Sequence, residues 1–434
     1  MENKIKKSLR YSLLDGVFAN IMAGLSDSFM APYAIAMKAS TAIIGILASL
    51  PNLIGALFQI KSASLVEFLG SRKALINSVV LIHALLLIPV IFVPYLFKYD
   101  QPLYLVIFYT LFVSIGTVAF PAWSSLMADH VPETERGKIF GWRNRLFGII
   151  NVSSMFVGGS ILYLAKILMI KNSSMPMGWH SPFPGFTIIF SIAFISRLIS
   201  WKFLTKMYEP KLVINGEHRF TFTQFLKRLL KSNFGRFVIF VSAMNFSVYL
   251  AAPFFPVYML RDLKFNYLTF TIITMSATLT TFVMMNIWGR HADSVGNLRV
   301  LKLTSIYIPF VPIFWLISHN IYYLILVQLF SGFFWAGFNL SVTNFIYDAV
   351  TPQKRTRCIG YFNVINGIAM FSGAAIGGYL STRLPPLFGY RILALLLLSA
   401  ALRMAAVTLS SFVREVRKVK DISNLELFYS IIGL

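Results

Sequence analysis

The feature of this sequence that most constrains its fold is a stretch that occurs twice. Residues 129–159 and 348–378 align without a gap at an offset of 219 residues, and ten of the 31 aligned positions are identical. The identical positions include polar residues, such as the pair Asp129 and Asp348. Because the offset is about half of the chain length, we expect two copies of one structural unit joined in tandem.

Composition indicates that both copies lie in a lipid bilayer. Of the 434 residues, 57% are hydrophobic and only 13% are charged, and the mean hydropathy is +0.71. The net charge of +23 reflects basic residues in short connections between apolar runs, which favours contact with anionic lipid head groups over nucleic acid. Cys358 is the single cysteine, so the chain can form neither an intramolecular disulfide nor a cysteine metal site.

Twelve apolar stretches are long enough to cross a membrane as helices, which takes about 20 residues each. They span residues 12–35, 41–61, 73–97, 102–127, 139–167, 184–206, 234–259, 267–288, 299–317, 321–346, 358–380 and 388–412. We therefore predict an all-α membrane protein with twelve transmembrane helices in two pseudo-symmetric six-helix bundles.

Lysine and arginine accumulate in the connections on one side of these helices. By the positive-inside rule that side is cytoplasmic, so we predict a multi-pass protein of the cytoplasmic (inner) membrane with both termini in the cytoplasm. The longest hydrophilic connection separates the halves, either as a solvated linker or as a short helix on the membrane surface. The predicted domains are an N-terminal bundle (1–206), a cytoplasmic linker (207–233), a C-terminal bundle (234–412) and a cytoplasmic tail (413–434).

Two connections at equivalent places carry a similar motif. Residues 289–299 read GRHADSVGNLR, and residues 63–73 read ASLVEFLGSRK. Both resemble the G-x-x-x-D-x-x-G-R-R/K signature of the major facilitator superfamily. The later copy has Asn297 in place of an arginine, and the earlier copy has Ala63 and Glu67 in place of glycine and aspartate. With the parallel repeat and the twelve helices, the resemblance covers almost the whole chain and implies the fold of that superfamily.

This resemblance implies that charges near the motif hold the cytoplasmic side shut. A carboxylate on the tight glycine turn of the motif can cap the positive end of a helix and pair with an arginine. We expect Asp129 to pair with Arg136, and Asp348 with Arg355; the alternative is that these charges only fix the membrane topology. The predicted gating residues are Glu67, Arg72, Asp129, Arg136, Asp293, Arg299, Asp348 and Arg355.

The superfamily architecture also implies that helices 1, 4, 7 and 10 surround a central cavity. Polar and aromatic residues recur at helical spacing on these segments, and Trp335 and Asn339 lie one turn apart, where they can stack on and hydrogen-bond one ligand. The alternative role for such residues is packing between helices. The predicted substrate-binding residues are Asn20, Asp27, Ser124, Asn245, Tyr249, Trp335, Asn339, Thr343 and Asn363.

An acidic residue inside a membrane segment is a functional candidate. Asp27 lies in the first predicted helix, and we expect it to couple transport to protons. The alternatives are a permanent ion pair with Arg197 in the sixth helix, or a place in the wet outer mouth. Asp15, Arg197 and its counterpart Arg403 are expected to be structural.

The sequence therefore predicts a secondary active transporter that carries a small molecule by alternating access, coupled to protons. A proton-coupled exporter of amphiphilic compounds and an importer of polar metabolites both remain open. The predicted partners are the substrate, membrane lipids and protons, with no nucleic acid, no cofactor and no metal, and the protein is expected to be a monomer. The alternatives from other classes are a polytopic membrane enzyme, for which no paired catalytic residues are evident, and a transporter-like sensor without transport.

Overall fold

The computed structural model describes residues 2–131, 136–171, 182–210 and 221–417. Within these ranges the regular structure is helical, with short 3₁₀ and π turns and no β-strand. One isolated backbone bridge joins Leu387 and Tyr390. The predicted all-α fold class is confirmed.

The helices follow the predicted segments closely. In chain order they are α1 (Glu2–Ser26), α2 (Met30–Ala36), α3 (Thr41–Ile60), α4 (Ser62–Leu69), α5 (Arg72–Leu85), α6 (Leu87–Leu96), α7 (Gln101–His130), α8 (Arg136–Lys171), α9 (Phe183–Leu204), α10 (Phe222–Arg228), α11 (Asn233–Tyr249), α12 (Phe255–Val257), α13 (Tyr267–Val295), α14 (Asn297–Tyr307), α15 (Phe310–Phe314), α16 (Ile321–Ala349), α17 (Pro352–Arg383) and α18 (Arg391–Thr408). The connection between the halves contains the short helix α10.

Ten helical stretches of the described chain are long and apolar enough to cross a membrane, judged by length and composition. The two predicted segments outside this set, residues 12–35 and 299–317, are also helical but broken. A 3₁₀ turn at Asp27–Phe29 separates α1 from α2, and α14 ends at Tyr307, two residues before Pro309. The structure thus fits the predicted twelve segments, while the crossing of the membrane by these two stays a prediction.

The two motif connections are helical for most of their length, where the sequence predicts glycine turns. Glu67 lies in the last turn of α4, and Asp293 lies in the last turn of α13. Gly70 and Gly296 then stop these helices with φ angles of 63° and 92°, a left-handed backbone that favours glycine. The expectation that both carboxylates lie on the turn itself is wrong, because both helices continue past the carboxylate to the residue before the second glycine.

The chain folds into two compact units, Met1–Asn215 with Pro253–Ile272, and Gly216–Ala252 with Ile273–Leu434. In the first, called unit 1, α1 packs against α9 and α8, while α7 packs against α3 and α5. Small residues permit these close approaches, since a Cβ atom on Gly24 would lie 2.6 Å from the carbonyl oxygen of Asn151. Leu75, Ile76 and Met127 belong to an apolar cluster at the end of this unit that carries the first motif.

In the second, called unit 2, α11 packs against α17 and α18, and α14 packs against α16. Its core contains a large aromatic cluster that includes Phe237, Phe345 and Trp288. The indole nitrogen of Trp288 donates to the carbonyl oxygen of Phe333 at 2.8 Å, so this buried ring leaves no polar atom unpaired. Each unit therefore has its own core and its own polar residues.

Candidate functional site

A buried arginine joins three elements at one end of unit 1. Arg72 is the first residue of α5, and 4% of its side chain is exposed. One terminal nitrogen lies 2.7 Å from Asp129 Oδ2, and the other donates to Ser125 Oγ at 2.9 Å. Its Nε lies 3.5 Å from Glu209 Oε1, beyond the end of α9. We call these residues, with Ser71, the Arg72 cluster.

Glu209 also caps the start of α5. Its Oε1 accepts a hydrogen bond from the backbone nitrogen of Arg72 at 2.7 Å, and its Oε2 accepts one from Ser71 Oγ at 2.5 Å. Ser71 Oγ in turn accepts from the backbone nitrogen of Ala74 at 3.0 Å. Because the first N–H groups of a helix carry partial positive charge, a carboxylate is favourable at this place.

Unit 2 carries a corresponding cluster of charged and polar side chains at its own motif, but its arginine comes from a different part of the chain. Glu415 Oε2 accepts from the backbone nitrogen of Leu298 at 2.8 Å, as Glu209 does from Arg72. The carboxylate of Asp348 accepts from Asn297 Nδ2 at 2.6 Å and pairs with Arg417 at 2.7 Å. Arg417 also lies 3.7 Å from Oδ1 of Asp293. We call Asp293, Asn297, Asp348, Glu415 and Arg417 the Asp348 cluster.

A chain of polar side chains runs through the interior of unit 1. Ser200 Oγ donates to Asp15 Oδ1 at 2.6 Å and accepts from Arg197 Nη1 at 3.1 Å. Arg197 Nε donates to His83 Nδ1 at 3.1 Å. The imidazole of His83 stacks on the ring of Phe112, with the centroids 3.9 Å apart. We call Asp15, Ser200, Arg197 and His83 the Asp15 chain; it links α1, α9 and α5.

Arg403 occupies the place in unit 2 that corresponds to Arg197, but its surroundings differ. It is 2% exposed, and it donates to Ser399 Oγ at 3.1 Å and to the carbonyl oxygen of Ile308 at 3.4 Å. Among the described residues no carboxylate pairs with it. The structural role expected for Arg403 is therefore consistent with its contacts, which are a hydroxyl and a backbone oxygen.

Asp27 lies in the 3₁₀ turn after α1, and its side chain is exposed. Its Oδ1 accepts from Ser26 Oγ at 3.2 Å. No ion pair to Asp27 is present within 4.0 Å in the described part of the chain, so the alternative of a permanent pair with Arg197 is not what the structure shows. A second predicted residue of the same helix, Asn20, donates to the carbonyl oxygen of Gly16 at 2.8 Å.

Helix α16 of unit 2 exposes polar residues along one face. Asn339 and Thr343 are exposed, and Thr343 Oγ1 donates to the carbonyl oxygen of Asn339 at 3.0 Å. Trp335, one turn earlier, is half-buried and contacts Phe338 edge-on, with ring centroids 5.3 Å apart. Exposed amides and hydroxyls inside a membrane face water or a polar path rather than lipid. This face is therefore suited to polar contacts.

The other predicted binding residues are half-buried within their own units. Asn245 on α11 donates to Asn366 Oδ1 on α17 at 2.9 Å, and Tyr249 lies one turn further along α11. Asn363 is one turn before Asn366, and Ser124 lies in α7 of unit 1. The Asn245–Asn366 bond shows that packing accounts for part of the polarity of α11 and α17.

Residues 16–308 and 237–427 each match the model of a protein family, the Major Facilitator Superfamily. Together the two matches cover nearly the whole chain, and each includes a copy of the motif. The chain belongs to the Major Facilitator Superfamily. No curated protein matches it.

Solved structures of facilitators share this fold at low sequence identity. A variant of the nucleoside transporter NupG has a TM-score of 0.70 and 14% identity, with 93% of this chain and 100% of that chain covered. The D-xylose-proton symporter has a TM-score of 0.66 and 13% identity over 96% and 99% of the two chains. An inward-facing bacterial homologue of the human lysosomal transporter Spinster has a TM-score of 0.63 and 15% identity over 94% and 95%. These likenesses show the fold.

One of the predicted charge pairs differs from the contacts in this facilitator, and the other involves a side chain that the structure does not describe. Asp129 pairs with Arg72, and the side chain of Arg136 lies outside the described residues. Arg355 stacks on Tyr347 at 5.0 Å and donates to its carbonyl oxygen at 3.1 Å, so it does not pair with Asp348. A tertiary contact brings Arg417 to Asp348 instead.

The remaining predicted gating residues lie on the helices next to the two motif glycines, Gly70 and Gly296. Glu67 is exposed, and Arg299 is half-buried near the start of α14. The sequence analysis omitted Glu209, Glu415 and Arg417 from the site. A signal for the two glutamates exists, because each follows the corresponding arginine, Arg197 or Arg403, by twelve residues.

Proposed function

We propose that this facilitator is a secondary active transporter that moves a small polar molecule across the cytoplasmic (inner) membrane by alternating access, coupled to protons. The observation that carries the proposal is the polar face of α16, where Asn339 and Thr343 are exposed within a membrane-spanning helix. A purely structural membrane helix gains nothing from exposed amides. The proposal places both termini in the cytoplasm and takes the working unit to be a monomer.

The substrate class that fits these groups best is an uncharged polar metabolite such as a nucleoside or a sugar. Amide, hydroxyl and indole groups hydrogen-bond and stack, and Asn339, Thr343 and Trp335 supply all three on one helix. Two facilitators of the same fold are, by name, a nucleoside transporter and a D-xylose-proton symporter. The proposed binding residues are those predicted from the sequence; of these, Asn20, Asp27 and Ser124 belong to unit 1 and the others to unit 2.

Coupling is proposed to use Asp27. An acidic side chain that is exposed within a membrane segment and makes no ion pair in the described chain is free to exchange a proton with water. The two charge clusters are proposed to hold the cytoplasmic ends of the helices in place while that side is closed. Glu67, Arg136, Arg299 and Arg355 remain part of this gating proposal.

An enzyme and a sensor are the competing classes, and we propose that the chain is neither. A membrane enzyme needs a nucleophile with a base, or a metal site, near one membrane face. Within the described residues, no group of three or more His, Cys, Asp or Glu side chains is placed to hold a metal ion. A sensor would bind its ligand without moving it, which a flux measurement distinguishes directly.

The proposal is tested by transport into proteoliposomes that contain the purified protein. Radiolabelled nucleosides, pentoses and hexoses are offered under an imposed pH gradient, with and without a protonophore. We expect one class to accumulate above its external concentration and the protonophore to abolish that accumulation. Accumulation that ignores the protonophore would refute proton coupling, and the absence of flux for every compound would refute the substrate class.

Matched variants separate binding from packing. Asn339→Ala should weaken substrate affinity by about 1 kcal/mol, because one hydrogen bond to the substrate is lost, and it should leave thermal stability unchanged because the side chain is exposed. Asn366→Ala serves as the control, since it removes a bond inside unit 2 and should lower stability more than affinity. If Asn339→Ala melts lower and binds normally, the α16 face is not a binding surface.

A further inference from the structure

The short helix α10 is packed against the rest of unit 2 along one side. The rings of Phe222 and Phe225 contact the ring of Tyr361 on α17, with centroids 5.2 and 5.5 Å apart. Phe225 is buried, and Thr221 begins the helix with a capping box. Residues 221–232 are therefore an ordered part of unit 2, and the alternative of a solvated linker does not apply to them.

Contacts across the following turn hold α10 against the start of α11. A Cβ atom on Gly235 would collide with the carbonyl oxygen of Leu229, so this close approach requires a glycine. Ser232 Oγ accepts a hydrogen bond from the backbone nitrogen of Gly235 at 2.9 Å, and Arg236 Nε donates to the carbonyl oxygen of Leu230 at 3.3 Å. The turn therefore sets the position of α10 relative to α11.

The same turn lies beside the ends of two helical stretches that are long and apolar enough to cross a membrane. One stretch begins at Asn233, and another ends at Phe412. Asn233 Nδ2 donates to the carbonyl oxygen of Arg414 at 2.8 Å, and Asn233 Oδ1 accepts from the backbone nitrogen of Arg414 at 2.8 Å. Because the two ends are joined in this way, the edge of the hydrocarbon layer lies next to α10.

The part of α10 that is not packed against unit 2 combines leucines and lysines. Leu226 and Leu230 are one helical turn apart, and their side chains are 44% and 76% exposed. Lys227 and Lys231 are also exposed, and each directly follows one of the leucines. Arg414, which is exposed beside the turn, adds a third cation. We call Leu226, Lys227, Leu230, Lys231 and Arg414 the α10 patch.

The charge of the α10 patch indicates an anionic partner. Residues 218–261 contain no aspartate or glutamate, so this segment supplies no negative charge of its own. Glu415 follows Arg414 in the chain, but its carboxylate accepts from the backbone nitrogen of Leu298 at the start of α14. Leucines with adjacent lysines at the edge of a membrane are typical of helices that lie in the interface and contact anionic lipids.

We propose that the α10 patch is a binding surface for anionic phospholipids of the adjacent leaflet. Leu226 and Leu230 enter the outer part of the acyl layer, and the three cations contact phosphate groups. A phospholipid is the partner, rather than an acidic protein, because the patch adjoins the ends of two membrane spans. The inference goes beyond the proposed function, since it requires neither the substrate nor proton coupling.

Fluorescence quenching in vesicles tests the contact with lipid. The full-length protein with Leu230→Cys, in a Cys358→Ala background, carries a fluorophore and is reconstituted in phosphatidylcholine with phosphatidylglycerol. We expect nitroxide-labelled lipid to quench the fluorophore and aqueous iodide to have little effect. Leu397→Cys, exposed within α18, gives the reference value for contact with acyl chains. Strong quenching by iodide without quenching by the lipid would overturn the proposal.

Leu226→Cys, one turn earlier, repeats the measurement and decides the case if the Leu230 variant fails to fold. Because both leucines are assigned to the acyl layer, we expect the same order of quenching, with the lipid quencher stronger than iodide. The opposite order at this position would also contradict the proposal.

The preference for negative charge is measured with nitroxide-labelled phosphatidylglycerol against nitroxide-labelled phosphatidylcholine at equal mole fraction. Each lysine near an anionic surface contributes about a fivefold preference. Lys227→Gln combined with Lys231→Gln should therefore lower the ratio of the two apparent affinities by about an order of magnitude. Equal quenching by the two lipids in the chain with both lysines would overturn the proposal.

Two double variants serve as controls for the charge. Lys227→Arg with Lys231→Arg keeps both cations and should keep the preference for phosphatidylglycerol. Lys38→Gln with Lys98→Gln removes two exposed lysines of unit 1 and should leave the preference at the α10 patch unchanged. Loss of the preference in either control would contradict the role given to Lys227 and Lys231.

Discussion

The Arg72 cluster and the Asp348 cluster each contain an aspartate–arginine ion pair, but the buried member of the pair is the arginine in one and the aspartate in the other. In unit 1 the arginine is 4% exposed and its aspartate partner Asp129 is 44% exposed. In unit 2 the aspartate, Asp348, is 10% exposed and the arginine, Arg417, is 41% exposed. In both units a glutamate from a later segment accepts a backbone N–H in the first turn of the motif helix.

This difference shows which parts of a duplicated site are tied to the backbone. The glutamate recurs because the unpaired N–H groups at a helix start need an acceptor. The aspartate recurs in the last turn of α7 and of α16, where it pairs with the arginine of its cluster. The cation has no such constraint and comes from α5 in one unit and from the segment after α18 in the other. The two clusters also differ in redundancy, since Arg72 has two carboxylates whereas Asp348 has one arginine among the described residues.

The largest effect is expected where the buried charge has one partner. Arg417→Ala leaves the Asp348 carboxylate with Asn297 alone, and we expect it to lower the free energy of unfolding by about 2 kcal/mol, measured by thermal unfolding in detergent. Arg414→Ala, three residues earlier and exposed, is the control and should have no effect. Adding Leu298→Arg, which copies the position of Arg72, should restore part of the loss. Equal melting of the Arg417 and Arg414 variants would remove the distinction between the clusters.

The two glutamates test what the clusters have in common. Glu209→Gln and Glu415→Gln each weaken a charge-assisted cap at a helix start, and each should cost about 1 kcal/mol of stability. Because each carboxylate accepts one backbone N–H in the first turn of its motif helix, we expect the two losses to be similar in the same thermal assay. A loss in one unit only would mean that the clusters are less alike than their hydrogen bonds indicate.

A smaller effect is expected for the exposed partner of the redundant cluster. Asp129→Asn leaves Arg72 beside Glu209 and Ser125, so the cost should be at most about 0.5 kcal/mol. The double variant Asp129→Asn with Glu209→Gln removes both carboxylates and should cost more than the sum of the single changes. Simple additivity would show that the two acids do not compensate for each other.

The smallest change in stability is expected at Asp293, whose side chain is 79% exposed. Asp293→Asn should melt like the wild type but weaken the closed cytoplasmic side that we propose. Cys358, buried near the start of α17 and the single cysteine, can report this through its rate of reaction with a maleimide. We expect that rate to rise, and to stay unchanged in Asp100→Asn. Unaltered labelling in the Asp293 variant would argue against its gating role.

The architecture was predictable because the signals for it are local. Apolar runs of about 20 residues predict membrane helices, and the repeat predicts two related units. Helix ends were less accurate where a glycine of the motif, such as Gly70 or Gly296, stops a helix later than the apolar run suggests. The break at Asp27–Phe29 was also missed, although Pro32 marks it, because proline has no N–H to donate to the carbonyl oxygen of Ser28.

The contacts of the charged residues were much less predictable. The sequence separation between Arg72 and Glu209, or between Leu298 and Glu415, exceeds one hundred residues, and no periodicity relates them. Reading the nearest arginine as the partner gave Arg355 for Asp348, whereas the structure gives Arg417. Asp15 was interpreted as a charge near the end of the first helix, yet it is buried and forms one end of the Asp15 chain.

The sequence by itself determined the membrane location, the helical fold, the duplication and the residue types available for polar contacts, because all of these follow from composition and spacing along the chain. Tertiary structure decided which of those residues meet. It also decided which charged side chains are buried and which are exposed. The packing of α1, α5 and α9 brings Asp15, His83 and Arg197 together, although almost two hundred residues of chain separate the first from the last. Long-range pairing depends on how helices pack in three dimensions, and spacing within one helix does not encode it.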